Sequence, residues 1–277
     1  MLSSHGEVEL QIAQYRNREF KPVLIERIQK LGYSPHESVR KVLKKQIKPW
    51  LSEQWCIGQI TGSYLWHMED VLDQYEQPCD PLRPLICFDE RPCFLIGDAG
   101  AIIPMSPGKT KWFHYEYKKN GSCCVLLAFD VHRGFHYVEV RERRTAVDYS
   151  EFMKNMVERH YSHVEKIRLI QDNLNTHTPG SFYKVMSARE AFELGQKFEL
   201  HYTPKKASWL NMAEIEFAAL SRQCLNRRIA DYPTMVKGVE AWAFRRNLDG
   251  TTVNWKFAKI DARNKLGRHY KDIQELI

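Results

Sequence analysis

Three acidic side chains in this sequence stand where carboxylates can carry out phosphoryl chemistry. Asp89 and Asp172 each follow an apolar run typical of a buried strand, LICF in one case and IRLIQ in the other. Burying a carboxylate is costly unless it is paired or binds a metal. Either aspartate alone would be interpreted as an ordinary strand-end residue, but two on central strands of one sheet favour a shared site. Because side chains alternate along a strand, only one of Asp89 and Glu90 can face that site.

The third carboxylate comes from a predicted helix over residues 209–228. Glu214 and Glu216 fall on opposite edges of its apolar stripe, since two residues span about 200° of a helix, and the spacing does not choose between them. Three carboxylates that meet at one point repel one another, and a divalent cation removes that conflict. Hard oxygen ligands suit Mg²⁺ or Mn²⁺, and two such ions can stabilise the attacking and leaving oxygens of an in-line phosphoryl displacement.

The elements that must position these residues alternate between strands and helices. Strands are predicted, with a hairpin between the second and third, at 84–90, 122–131, 134–142, 166–173 and 198–202. Helices are predicted at 148–161, 181–196 and 209–228. This order predicts an α/β fold, a mixed sheet with helices packed on its faces.

Two further units are predicted before the sheet. Residues 1–50 contain two short helices joined at Gly32, and the second helix is basic, as in a helix–turn–helix that enters the major groove. A helical hairpin with a solvated basic face is the alternative. Residues 51–83 are predicted to form a linker with an amphipathic brace helix, and residues 84–277 a catalytic domain with a basic C-terminal segment.

Charge is unevenly distributed along the 277 residues, whose net charge is +7. Residues 1–55 hold 10 Lys and Arg against 6 Asp and Glu, residues 221–277 hold 12 against 6, and the residues between hold 19 against 22. An acidic middle between basic ends favours a metal-binding core flanked by surfaces for a polyanion, although ordinary charge scatter is the alternative. Since no apolar run could span a bilayer and the N-terminus does not resemble a signal peptide, we expect a cytoplasmic protein, nucleoid-associated if it binds DNA.

A zinc site is not expected from the cysteines and histidines. The seven cysteines never occur as C-x-x-C. No cysteine or carboxylate stands at ligand spacing beside His132, His136, His160 and His163, so surface positions are expected for these histidines.

The acidic residues lie in motifs that resemble the mariner-type superfamily of DDE transposases, and within it the bacterial "six-thirty" insertion-sequence branch. The motifs are CFDE at 87–90, QDNLNTH at 171–177 and HYTPKKASWLNMAEIE at 201–216, and the likeness extends from roughly residue 24 to 270. The resemblance implies a ribonuclease-H-like fold, and it assigns catalysis and metal binding to Asp89, Asp172 and Glu214. It also implies an N-terminally truncated transposase, because relatives carry a bipartite helix–turn–helix array and only its second half, around 24–46, is present here.

The resemblance further implies a reaction, partners and roles for other residues. We expect DNA cleavage and strand transfer at transposon ends into a deformable TA step, with two Mg²⁺ or Mn²⁺ ions, by a homodimer engaged on double-stranded DNA. A catalytically silent DNA-binding remnant that regulates transposition is one alternative, and a stand-alone nuclease of the same fold is another. The residues expected to shape the site are Asn173, Asn175, His177, Trp209 and Asn211. Those expected to contact DNA are Arg40, Lys41, Lys44, Lys45, Lys205, Lys206, Arg227 and Arg228, with Arg245 and Arg246 in the basic C-terminal segment.

Overall fold

The computed structural model describes residues 60–100, 105–110, 112 and 115–274, together with a short antiparallel pair of strands, β1 (Leu2–Ser3) and β2 (Gly6–Glu7). The predicted helix–turn–helix lies outside the described residues, and so do its four basic side chains Arg40, Lys41, Lys44 and Lys45. The chain divides into two units, Met1–Gln59 and Ile60–Ile277. The features below belong to the second unit.

A five-stranded mixed sheet forms the centre of this unit. Its strands are β3 (Leu85–Asp98), β4 (Tyr117–Asp130), β5 (Phe135–Arg141), β6 (Ile167–Gln171) and β7 (Phe198–Tyr202). The spatial order is β5-β4-β3-β6-β7, with β3, β4 and β5 antiparallel and β6 and β7 parallel to β3. The predicted hairpin between β4 and β5 is confirmed. Its turn ends at Gly134, whose φ of 63° is a conformation that glycine adopts without steric cost.

Strand β3 is longer than the predicted strand at 84–90. β6 pairs with β3 only from Leu85 to Cys87, whereas β4 pairs with it as far as Asp98. Past the β6 pairing, β3 is an edge strand on that side, and an edge tolerates Pro92, which has no backbone N–H to donate. The second half of β3 contains polar residues and a proline, so its sequence pattern did not predict a strand. Asp89 therefore lies inside a strand rather than at its end.

Helices cover both faces of the sheet. They are α1 (Gly62–Glu76), α2 (Ala146–His160), α3 (Ala188–Gln196), α4 (Ala213–Gln223), α5 (Tyr232–Asp249), α6 (Lys259–Lys265) and α7 (Gly267–Gln274). The capping box predicted from Thr145 and Asp148 is confirmed at the start of α2. No helix in the described part of the chain is long and apolar enough to cross a membrane.

Two predicted helices have different bounds in the structure. The segment 181–196 is divided into a 3-10 helix, Pro179–Lys184, and α3, because Ser187 and Glu190 form a capping box that starts a new helix. The segment 209–228 contains a 3-10 turn, Ser208–Leu210, before α4, and α4 ends at Gln223. The break falls at Asn211, whose extended backbone is fixed by side-chain hydrogen bonds.

The two faces of the sheet have separate hydrophobic cores. Leu85 and Cys87 of β3 pack with residues of α1 and α4 on one face, whereas Ile86 and Phe88 pack with α2 and α3 on the other. Since side chains alternate, Asp89 belongs to the α4 face and Glu90 to the α2 face. The mixed sheet flanked by helices confirms the α/β fold that the order of strands and helices predicted.

Candidate active site

Asp89 and Asp172 are brought together by the register of two parallel strands. Leu85 pairs with Arg168 and Cys87 with Ile170. Continuing this register by two residues sets Asp89 beside Asp172, the first residue after β6. Paired residues of neighbouring strands point to the same face, so both carboxylates belong to the face that α4 covers.

Glu214 reaches this place because Asn211 ties the start of α4 to β3. The buried side chain of Asn211 donates from Nδ2 to the carbonyl of Phe88 at 2.8 Å, and its Oδ1 accepts from the N–H of Ala213 at 3.1 Å. Phe88 directly precedes Asp89 in the chain. The hydrogen bond therefore fixes the first turn of α4, which contains Glu214, next to the strand that carries Asp89.

The pKa of Asp89 reflects its burial and the two other carboxylates. Burial, followed by the negative charges of Glu214 and Asp172, raises the pKa of Asp89 to about 7. Its own Oδ1 accepts the N–H of Glu90 at 2.7 Å, which opposes the increase. Like charges held close together disfavour ionisation, and a cation reverses that effect.

Glu216 has a different environment and a different task. Its side chain is 1% exposed, and its carboxylate accepts from Arg246 at 2.5 and 2.7 Å and contacts His136 Nε2 at 2.8 Å. Glu214 lies two residues away and is exposed. This arrangement distinguishes the two glutamates, which the spacing alone left open.

One sequence expectation is wrong at this buried group. His136 was expected at the surface but is buried, because it lies on the face of β5 that packs against Trp242 of α5, and it bonds Asn247 as well as Glu216. The guanidinium of Arg246 bonds Glu216, and its expected contact with DNA stays a prediction.

His177 connects Asp172 to Glu90, a residue for which the sequence predicted no role. Its Nδ1 lies 2.5 Å from Asp172 Oδ1 and its Nε2 lies 3.2 Å from Glu90 Oε2. Burial alone would lower the pKa of His177, but the hydrogen bonds to Asp172 and Glu90 raise it to about 9. From the sequence, Glu90 was only known to point to the face of the strand opposite Asp89, and no local pattern identified His177 as its hydrogen-bond partner.

The other three residues expected to shape the site are exposed. Asn173 and Asn175 are exposed in the loop after β6. Trp209, 43% exposed, packs edge-on against Phe257 at a centroid distance of 5.9 Å. This contact suits a packing role beside the start of α4.

The basic residues expected to contact DNA fall into two groups. Lys205 and Lys206 are exposed on the turn after β7, where Lys206 has a φ of 65°, uncommon for a residue other than glycine. Arg227 is also exposed. Arg228, in contrast, contacts Asp98 at 2.6 Å and donates to the carbonyls of Tyr115 and Glu116 at 3.1 Å. These contacts join the segment after α4 to the strands β3 and β4 and the residues beside them.

The donor set is suitable for a hard divalent cation. Among the described residues, no three His, Cys, Asp or Glu side chains are already gathered closely enough to hold a metal ion. However, Asp89, Asp172 and Glu214 offer only carboxylate oxygens, which suit Mg²⁺ and Mn²⁺. The raised pKa of Asp89, caused first by burial and then by its two acidic neighbours, is what a nearby cation would lower. The residues present therefore fit such an ion.

Known proteins resemble this chain in one family model and in fold. No curated protein matches the chain in sequence. The fold is similar to that of the "Mos1 transposase paired-end complex with left transposon end", with 13% identity over 97% of this chain and 82% of that chain and a TM-score of 0.49. The "Mos1 Strand Transfer Complex" gives 13% identity over 97% and 81% and the same TM-score of 0.49. Residues 84–236 match the family described as "DDE superfamily endonuclease", and the chain therefore belongs to the DDE superfamily of endonucleases.

Proposed function

We propose that this chain is an insertion-sequence transposase that cuts DNA at transposon ends and joins those ends to target DNA. The observation that supports this most directly is that Asp89, Asp172 and Glu214 come from three separate elements, and that burial and the charges of the other two raise the pKa of Asp89. Membership of the DDE endonucleases supplies the cleavage chemistry. The motifs that resemble mariner-type transposases add strand transfer. Membership of the "six-thirty" branch stays a prediction.

Asp89, Asp172 and Glu214 would hold the divalent ions, for which we propose two Mg²⁺ or Mn²⁺. When bound, the ions supply positive charge that stabilises the attacking and leaving oxygens of the scissile phosphate. Asp89 lies within β3, and Glu214 lies in the first turn of a helix that Asn211 fixes to β3. Groups carried on strands and helices are held more precisely than groups on loops, which favours accurate alignment of the phosphate.

The reaction consists of two displacements at phosphorus. In the first, a water oxygen bonds to phosphorus at the transposon end, the bond from phosphorus to the 3′ oxygen breaks, and that oxygen takes a proton to become a free 3′-OH. The water loses a proton to solvent. In the second, the 3′-OH loses its proton, bonds to a phosphorus of the target strand and displaces another 3′ oxygen, which is protonated. Each step exchanges one phosphorus–oxygen bond for another, so neither step needs an oxidant, a reductant or a nucleotide.

Exposed basic side chains would hold the DNA. Lys205 and Lys206 lie on the turn that leads into the helix with Glu214, and Arg227 lies just beyond that helix. We propose that these residues contact phosphates of double-stranded DNA, the inverted repeat and the target, in a homodimer. Such contacts fix the position of DNA without reading its sequence.

The test is strand transfer from a labelled, pre-cleaved oligonucleotide that carries the end of the element containing the gene, in Mg²⁺ or Mn²⁺. Wild type is compared with Asp172→Asn and Glu214→Gln. The control is Glu139→Gln, which alters a carboxylate of β5 that bonds Arg141, Tyr137 and Asn155. Joined product that is present in wild type and control and absent in both site variants and in chelator is the expected result.

Two other outcomes would replace the proposal. Nicked DNA without joined product would indicate a stand-alone nuclease of the same fold. A folded wild-type protein that binds the oligonucleotide and yields neither product would indicate a DNA-binding remnant that regulates transposition.

A further inference from the structure

The imidazole of His177 lies fully buried between two carboxylates that face different sides of the sheet. Its side chain is 0% exposed, that of Glu90 is 7% exposed, and that of Asp172 is 34% exposed. Nδ1 contacts Asp172 and Nε2 contacts Glu90, so both ring nitrogens have acceptor oxygens as partners. The ring therefore joins a half-exposed site residue to a carboxylate that is almost fully buried.

The surroundings leave the ring little freedom. It stacks on Tyr149 at 4.9 Å and meets the edge of Phe88 at 5.3 Å. Gln171 donates from Nε2 to the carbonyl of His177 at 2.9 Å, and Gln171 Oε1 accepts from the hydroxyl of Tyr149 at 2.9 Å. The backbone and the ring of His177 are thus fixed by the residue that directly precedes Asp172.

Only one oxygen of Asp172 is used by this contact. His177 engages Oδ1, and no other hydrogen bond to the Asp172 side chain occurs within the described part of the chain. The second oxygen, Oδ2, stays available on a partly exposed carboxylate. A partner that holds one oxygen of a ligating carboxylate sets the direction of the other, and losing such a partner typically costs about 10–100-fold in metal affinity or activity.

We propose that His177 and Glu90 are positioning residues, with His177 holding Oδ1 of Asp172 so that Oδ2 is directed at the divalent cation and Glu90 fixing the ring from its other side. This inference rests on the proposed function. Glu90 itself is excluded as a ligand, because it lies on the opposite face of β3 from Asp89 and bonds the buried ring. Its only further ion-pair partner among the described residues is Arg144, at 3.5 Å and 57% exposed, and a contact of that kind contributes little.

The decisive variant is His177→Phe, which keeps an aromatic ring against Tyr149 and removes both nitrogens. If His177 only supports the fold, a folded variant should leave cation binding unchanged. Loss of positioning would weaken it.

The experiment measures Mn²⁺ binding to the full chain from the electron paramagnetic resonance signal of free Mn²⁺. The proteins are wild type, Asp172→Asn, His177→Phe, Glu90→Leu and the control Glu139→Gln, each checked by circular dichroism at the temperature of the titration. We expect site-specific binding in wild type and control, loss of that binding in Asp172→Asn, and a dissociation constant about 10–100-fold higher in His177→Phe. DNA cleavage by His177→Phe should recover as Mn²⁺ is raised, which a purely structural defect would not produce.

Equal or tighter Mn²⁺ binding by folded His177→Phe would overturn the positioning role and leave the proposed function standing. Wild type without Asp172-dependent binding would overturn both. If His177→Phe does not fold, Glu90→Leu decides, because it removes both acceptor oxygens from His177 Nε2 and keeps a side chain of similar size, and the positioning role predicts weaker Mn²⁺ binding. In that case binding equal to that of Glu139→Gln refutes the proposal.

Discussion

Glu214 and Glu216 lie two residues apart in α4, and their replacement by glutamine should have opposite consequences. Glu216 is 1% exposed and is bonded by Arg246 and His136, so Glu216→Gln leaves a guanidinium that is only 15% exposed without its counter-charge. Removing one partner of a buried ion pair costs about 3–5 kcal/mol. Because glutamine has nearly the volume of glutamate, no cavity adds to this cost.

The expected shift in unfolding temperature follows from the size of the folded unit. For a unit of about 150–250 residues, each kcal/mol corresponds to roughly 2–4 °C, and the unit Ile60–Ile277 falls in this range. Glu216→Gln should therefore unfold about 6–20 °C below wild type. Glu214→Gln changes an exposed side chain and should unfold close to wild type.

Activity should show the reverse order. Glu214→Gln removes one of the three proposed cation ligands and should lower the rate of DNA strand cleavage by about 100-fold or more, since each 1.4 kcal/mol of lost transition-state stabilisation is tenfold in rate. Glu216→Gln, assayed well below its unfolding temperature, should keep most of the wild-type rate. Calorimetry and a cleavage assay on the same preparations measure both effects. A Glu216→Gln protein that unfolds like wild type and does not cleave would refute the assignment of the two glutamates.

Three further predictions concern the same region. Burial would raise the pKa of Glu216, but its contacts with His136 and Arg246 hold that pKa below the ordinary 4.5. Its contribution to stability is therefore present above pH 4.5 and is lost as the pH falls through the lower folded value. Denaturant titrations should show that the free energy of unfolding falls more steeply with acid in wild type than in Glu216→Gln. Asn211→Ala leaves the Phe88 carbonyl and the Ala213 N–H without their partner. The free energy of unfolding should therefore fall by about 1–3 kcal/mol, and the rate of DNA cleavage should fall with it. A stable but inactive variant would instead assign Asn211 directly to the chemistry. In chelator, wild type should lose stability relative to Asp89→Asn as the pH rises from 3.8 to about 7, because burial and the neighbouring carboxylates raise the folded pKa of Asp89, and parallel pH profiles would contradict this environment.

The sequence alone was sufficient where one local pattern dominated. The apolar runs before Asp89 and Asp172 predicted the strands that became β3 and β6, and the hairpin and the capping box at Thr145 followed from residues close together in the chain. The order of strands and helices predicted the mixed α/β fold. These features depend on periodicity and capping, which act over a few residues and are therefore visible in sequence.

The structure decided what depends on partners far apart in the chain. The extension of β3 past residue 90 follows from pairing with β4, and the late start of α4 follows from the hydrogen bond between Asn211 and Phe88, 123 positions apart. Neither partner could be identified from the local pattern. Tertiary contact overrides helix and strand preference at such places.

The candidate site shows the same division. The residue types and the resemblance selected Asp89, Asp172 and Glu214 as a group that could bind a divalent cation, and this required only their chemistry and the elements that carry them. The resemblance chose Glu214 over Glu216, which the helical spacing alone left open. The buried contacts of Glu216 with His136 and Arg246, and the connection of Glu90 to Asp172 through His177, required coordinates. A carboxylate has the same formula whether it meets a guanidinium, an imidazole or solvent, and its role is set by which of these the folded chain places within hydrogen-bonding distance.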